Sequence, residues 1–236
     1  MTRIEVIKKI IQKKNAQNYL EVGVFTGECF LQIKAKRKFA VDPEFRIPWE
    51  VRKDNLLKKI NRRLFDKFEL YFAKYSDDFF NEEKNLLKKY PLDVVFLDGL
   101  HTYGQTLKDV ENALDYLNNG GVVILHDCNP ETETIAYPAG SLNDAKEMNL
   151  PGWTGVWSGD VWKTIAHIRT TRADVTAFVL DTDCGLGIVV KKPSAVLDLF
   201  DKKDIPGLSY QDLEKNREKI LNLKPVSYLE EFLSTL

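Results

Sequence analysis

Residues 17–27, Gln-Asn-Tyr-Leu-Glu-Val-Gly-Val-Phe-Thr-Gly, run a short apolar strand straight into a turn with glycines at Gly23 and Gly27. A strand that ends in glycines lets the backbone approach a ligand closely, and a helix started from such a turn presents free N–H groups. This is how a nucleotide-binding α/β sheet begins, so the chain is expected to form a sheet with helices on both faces. Strand one is predicted over Tyr19–Val22, with a helix from Thr26 to about Lys36. The spacing Glu21-x-Gly23-x-x-x-Gly27 lacks the third glycine that a dinucleotide pyrophosphate asks for, which turns the reading away from NAD and FAD. Glu21 at the strand end suits a cationic or hydroxylated ligand better than an anionic one.

The later strands follow from the apolar pattern. Lys38–Asp42 reads as strand two, stopped by Pro43, and Phe68–Ala73 as strand three. Leu92–Leu97 is a near-continuous apolar run between Pro91 and Asp98-Gly99, the signature of a central strand in a parallel sheet. A helix is predicted from about Gly104 to Leu117, ended by Asn119-Gly120-Gly121, and strand five over Val122–Leu125. Val175–Leu180 and Leu186–Val190 form a hairpin that supplies the last two strands. Residues 3–14 place isoleucines at helical spacing, residues 50–64 are charged and helical, and Ser209–Leu223 and Ser227–Leu233 are amphipathic helices of the tail. Residues 128–160 hold four glycines and three prolines, too much turn chemistry for a regular element, and are placed to lid a crevice. The expected organisation is one domain over residues 1–191, with 128–160 inserted as that lid, and a helical tail over 192–236 packed on the domain or on a second subunit.

In an open parallel sheet, ligands lie at the carboxyl ends of the strands. Glu21, Asp42, Ser76, Asp77, Asp98, His101, His126 and Asp127 all fall at such ends. A carboxylate at Asp42 can accept from both hydroxyls of a ribose, or simply cap the strand end. Ser76 and Asp77 either reach a ligand or start a helix as N-cap. His101 and His126 are candidate proton acceptors or hydrogen-bonded structural histidines, and His167, alone within a helix, reads as structural.

The glycine turn resembles the first motif of the class I S-adenosylmethionine-dependent methyltransferases. Phe-Leu-Asp-Gly-x-His-x-Tyr (residues 96–103) and Gly-Gly-x-x-x-x-His-Asp (residues 120–127) are similar to one subgroup of them, the macrocin- and cephalosporin-type O-methyltransferases. The resemblance spans residues 17–130. It implies a Rossmann-like, seven-stranded, mostly parallel sheet with an antiparallel last strand, and S-adenosylmethionine as methyl donor. On this resemblance Glu21, Gly23, Phe25, Gly27, Asp42, Ser76, Asp77 and Asp98 hold the donor, with Ser76 and Asp77 at the adenine amino group, and Gly23→Val would block binding without harming the fold. The subgroup binds a divalent ion through acids at the ends of strands four and five, so Asp98 and Asp127 would share Mg2+. Here His126 occupies one acid position, and Leu100 stands where the subgroup has the second acid of Asp-Gly-Asp. Without a metal, His101 or His126 becomes the catalytic base, with Asp98 beside it. The acceptor is expected to be a small hydroxylated, sugar-like molecule. Two other functions fit parts of the pattern: a catalytically silent nucleoside-binding subunit, and a nicotinamide-dependent reductase.

Composition narrows the partners. The net charge of −1 and a pI near 6.3 leave no general basic field for nucleic acid. Three dispersed cysteines argue against a disulfide framework. The charged N-terminus and the absence of any run of about eighteen apolar residues point to a cytoplasmic protein with no membrane contact, as a monomer or a homo-oligomer.

Overall fold

The computed structural model describes residues 1–52 and 66–236. Its strands are β1 (Asn18–Val22), β2 (Arg37–Val41), β3 (Phe68–Phe72), β4 (Leu92–Leu97), β5 (Leu117–Leu125), β6 (Thr176–Asp181), β7 (Leu186–Val190) and β8 (Leu223–Pro225). They form one sheet in the order β3-β2-β1-β4-β5-β7-β6-β8. Among the described residues, only β7 runs against its neighbours. The α/β sheet with an antiparallel strand near its far edge is as expected from the sequence, with an eighth strand added beyond β6. Because β1 lies between β2 and β4, the strand order reverses there, and a crevice opens at the carboxyl ends of those three strands.

Strand alternation builds two cores, one on each face. Tyr19, Val94, Phe96, Val122 and Ile124 face α1 (Arg3–Lys14) and α8 (Tyr228–Ser234), meeting Ile7, Ile10, Leu229 and Phe232. Leu20, Val22, Val95, Leu97 and Leu125 face the other way, against α4 (Tyr103–Asp115) and α6 (Trp162–Thr171), where Val110, Ala113, Trp162 and Ile165 are buried. The short helices α2 (Ser76–Glu82) and α3 (Lys84–Lys89) add Phe79 and Leu87 to this second core, and α7 (Tyr210–Leu221) adds Leu213 and Ile220. The tail thus contributes to both cores and pairs β8 with β6. Among the described residues, no helix is long and apolar enough to cross a membrane.

Three local expectations differ, and a fourth falls outside the described residues. No α-helix follows β1: residues 30–32 form a single 3-10 turn. Gly27 adopts φ +79° and its N–H closes a tight turn onto the Val24 carbonyl at 2.7 Å, and a left-handed residue cannot propagate a right-handed helix. The helix before β5 ends at Asp115, short of the Asn119-Gly120-Gly121 stop, because Leu117 already pairs with Leu92 and the Asn118 amide donates to Asp93 at 2.7 Å. The segment over 128–160 holds one regular element, α5 (Leu142–Glu147), capped by the Ser141 side chain. Residues 53–64 of the expected charged helix lie outside the described residues.

Gly23 also carries a packing constraint beyond the expected ligand space. Its φ is +84°, and a Cβ there would stand 1.9 Å from the Asp98 carbonyl oxygen and 2.7 Å from the Gly99 Cα. The obstacle is backbone of the adjacent strand end, so a side chain must spread β1 from β4 instead of merely filling ligand space. Gly23→Ala is expected to cost about 2 kcal/mol or more of unfolding free energy in urea denaturation, from the left-handed backbone and the clash together.

Candidate active site

At the carboxyl ends of β1, β2 and β4 lies a cleft of about 800 Å³. Gly23, Phe25, Asp42, Ser76, Asp77, Asp98 and His101 line it, so seven of the residues singled out from the sequence converge there.

Asp42 is nearly buried, and two backbone N–H groups fix its carboxylate: Phe25 donates at 2.7 Å and Glu44 at 2.7 Å. Phe25 is thereby held at φ +46° with its ring half exposed beside the cleft, under the Arg46 guanidinium. Across the cleft Ser76 and Asp77 form the first turn of α2, while the N-cap is Tyr75, which makes no side-chain cap bond. Their polar atoms are instead gathered by Gln105, whose amide nitrogen lies 3.2 Å from Ser76 Oγ, 2.9 Å from Asp77 Oδ1 and 3.1 Å from Asp109 Oδ1. Burial lifts the Asp109 carboxyl to about 6, against the lowering effect of bonds from Ser76 and Gln105. Gln105 and Asp109 escaped the sequence reading; their i, i+4 spacing on a helix that starts at a strand end was the available signal.

The floor is a cluster of carboxylates and imidazoles. His101 Nε2 is 3.4 Å from Asp98 Oδ1, and its Nδ1 is 3.4 Å from Asp127 Oδ2 and 2.8 Å from the Trp157 carbonyl. His126 Nδ1 is 3.2 Å from Asp98 Oδ1 and 3.1 Å from Asp127 Oδ2. Both imidazoles therefore bridge the same two acids. Ser158 donates to the other Asp127 oxygen at 2.6 Å, and the Trp157 ring stacks on His101 at 5.4 Å. Although burial disfavours the charged ring, the neighbouring carboxylates raise His101 to about 9 and His126 still further. Asp98 is partly buried, and desolvation opposes its ionisation, yet the two imidazoles hold it below the usual carboxylate range.

Four expected residues stand elsewhere. Glu21 shares its strand face with Tyr19, turned away from the cleft, and accepts a hydrogen bond from the Tyr19 hydroxyl; burial lifts it to about 7. Gly27 packs under Ile47, whose Cδ1 a Cβ would meet at 2.7 Å. His126 and Asp127 lie behind His101 and not on the cleft wall. Asp127 takes φ +62°, which turns its side chain back toward Asp98 and His101. His167 bonds the Tyr103 hydroxyl at 2.6 Å, the structural role expected of it.

Residues 20–128 match the family described as a methyltransferase domain. The chain carries a methyltransferase domain. The expectation of an S-adenosylmethionine-dependent methyltransferase is borne out. No curated protein matches the chain in sequence. Among solved structures, an O-methyltransferase from Bacillus cereus in complex with SAH is 19% identical, with 81% of this chain and 82% of that one covered and a TM-score of 0.52. A putative O-methyltransferase from Klebsiella pneumoniae is 13% identical, with 80% of each chain covered and a TM-score of 0.53. At these identities the likeness concerns the fold.

The shifted groups of the methyltransferase set its pH response. Glu21, Asp109, His101 and His126 have folded values above their unfolded ones, so their stabilisation is complete below the unfolded value and lost as pH rises through the folded one. Asp98 and Asp183 are lowered, Asp183 to about 2, so theirs is present above about 4 and lost in acid. The thermal midpoint of the free protein is expected to peak near pH 4 to 5 and decline steadily toward pH 9 in scanning calorimetry.

Proposed function

We propose that this methyltransferase transfers the S-adenosylmethionine methyl group to a hydroxyl oxygen of a small acceptor, with His101 as the base. The observation that carries the reading is the placement of His101: it is the one imidazole of the floor pair on the cleft wall, with Nδ1 donating to the Trp157 carbonyl and Nε2 beside Asp98. In this assignment Asp42 accepts from the ribose hydroxyls, Ser76 and Asp77 face the adenine, and Gly23 and Phe25 flank the donor. The acceptor oxygen attacks the methyl carbon in line with the sulfur, the C–S bond breaks to give a neutral thioether, and the hydroxyl proton passes to His101 Nε2. Asp98 stabilises the imidazolium that forms, and the sulfonium charge of the bound donor lowers the His101 affinity for a proton before the acceptor arrives. The SAH complex of the Bacillus cereus O-methyltransferase agrees with this donor and reaction class, and the motifs at residues 96–103 and 120–127 favour the macrocin- and cephalosporin-type subgroup.

Mg2+ fits the cluster poorly. It demands near-octahedral oxygen coordination, whereas the Asp98 and Asp127 oxygens that would share it are already spanned by three nitrogens of two imidazoles. Asp98, His101 and Asp127 do bring three ligand atoms within 4.8 Å of one another, but as a mixed nitrogen and oxygen set. The imidazolium charges do the work of an ion, and no step is routed through metal.

The acceptor wall also departs from a sugar site. Leu100 (45% exposed), Leu142 (51% exposed) and Trp157 border the cleft near His101, and a sugar would leave them facing hydroxyls. An acceptor with an apolar or aromatic body fits this wall better than the sugar-like one.

Asp42→Asn is expected to weaken S-adenosylhomocysteine binding by about 1.5 to 3 kcal/mol in calorimetry; unchanged affinity would sink the ribose assignment. In a screen with labelled methyl donor, phenols should be methylated in preference to sugars. Activity should survive EDTA and rise with pH toward a limb at or below about 9, set by His101. Loss of activity on chelation with recovery on Mg2+ would return the metal to the mechanism, and His101→Ala should remove both the limb and most of the rate.

A further inference from the structure

We infer that Asp183, in the β6–β7 turn, is a positioning residue of the active site: clamped from behind by Arg3 of α1, its carboxylate holds the His126 imidazole against Asp98 and Asp127. Asp183 Oδ1 is 3.4 Å from His126 Nε2 and 3.2 Å from Arg3 Nη1, while its other oxygen accepts the Arg3 backbone N–H. With Nδ1 facing Asp98 and Asp127, both ring nitrogens of His126 point at carboxylates, so both must donate. The ring is thus fixed in place, and its freedom to rotate is removed by a residue 57 positions away in sequence.

The turn is built for this contact. Asp183, Cys184 and Gly185 take φ of +48°, +60° and +85° in succession, an arrangement that aspartate tolerates and cysteine rarely adopts. The surroundings enforce it: Cys128 and Asn129 donate to the carbonyls of Gly185 and Cys184 at 2.9 Å each, and the Thr182 hydroxyl donates to the Met1 carbonyl. Strained backbone persists only where its neighbours over-determine it. Here the neighbours are the loop that follows Asp127 and the N-terminus of α1. The charges around His126 come from every adjoining element: Asp98 from β4, Asp127 after β5, Asp183 from the turn, Arg3 behind it from α1, and His101 through the shared carboxylates. Glu28 also pairs with Arg3, 3.5 Å from Nη2, so the carboxylates that face the ring itself are Asp98, Asp127 and Asp183. Of these Asp183 alone meets Nε2, and removing it frees that side of the ring.

The consequence for catalysis rests on the proposed role of His101, which shares both bridged carboxylates with His126; the clamp itself does not. The test therefore needs no acceptor. The His126 ring, assigned with His126→Gln, is followed by 13C relaxation at a single neutral pH in the wild type, Asp183→Ala, Asp183→Gly and Arg3→Lys, with the His167 ring as internal control. Both Asp183 variants should raise the amplitude of His126 ring motion about twofold or more above that of an ordered side chain. The His167 ring and the calorimetric affinity for S-adenosylhomocysteine should stay put, and Arg3→Lys, which keeps the charge behind Asp183, should behave nearly as wild type. If Asp183→Ala does not fold, Asp183→Gly suits the left-handed backbone of the turn and decides alone. A His126 ring that stays as rigid as in the wild type in a folded Asp183 variant overturns the inference, whereas failure of the wild type to bind S-adenosylhomocysteine would overturn the donor assignment and leave the clamp standing.

Discussion

The bridging of Asp98 and Asp127 by two imidazoles is the interaction on which the site depends. Two carboxylates brought together at the ends of β4 and β5 repel, and burial makes ionisation costlier still, so an uncompensated pair would take up a proton. His101 and His126 each span both acids, which keeps the partly buried Asp98 ionised and raises the imidazoles' hold on their protons. Compensation by hydrogen-bonded side chains fixes geometry as well as charge: each ring is oriented by a further partner, Trp157 for His101 and Asp183 for His126. The price is that His101 holds its proton at neutral pH, and in the proposed mechanism the donor's sulfonium charge weakens that hold.

Much of this was legible in the sequence, for reasons that differ by residue. The central strands could be placed because Leu92–Leu97 is apolar on both faces, as a strand between helices must be. Asp42, Asp98 and His101 could be placed because topology sends strand ends to one edge, whatever the loops do. Glu21 misled for the same reason inverted: period-two alternation gives it the Tyr19 face, one residue out of phase with Val22, and the strand-end rule says nothing about which face a side chain takes. The absent helix after β1 and the backbone clash at Gly23 depend on left-handed φ values and on the nearness of Asp98, neither of which a glycine reveals by itself. Gln105 was hidden because its three acceptors come from two helices.

Arg3 and Asp183 were the least legible of all, being 180 residues apart and each ordinary in its own stretch. What joins them is the sheet order. With β7 inserted between β5 and β6, the β6–β7 turn is delivered beside the carboxyl end of β5, where His126 and Asp127 emerge. The capping box of Thr2 and Glu5 fixes the first turn of α1, and the packing of Ile7 and Ile10 on the sheet brings that turn over the same edge. An insertion that looks like a topological detail therefore decides which residues can reach the floor of the cleft. The strand that runs backwards carries its turn to the ligand side, and a forward strand in that position would have carried it to the opposite end of the sheet.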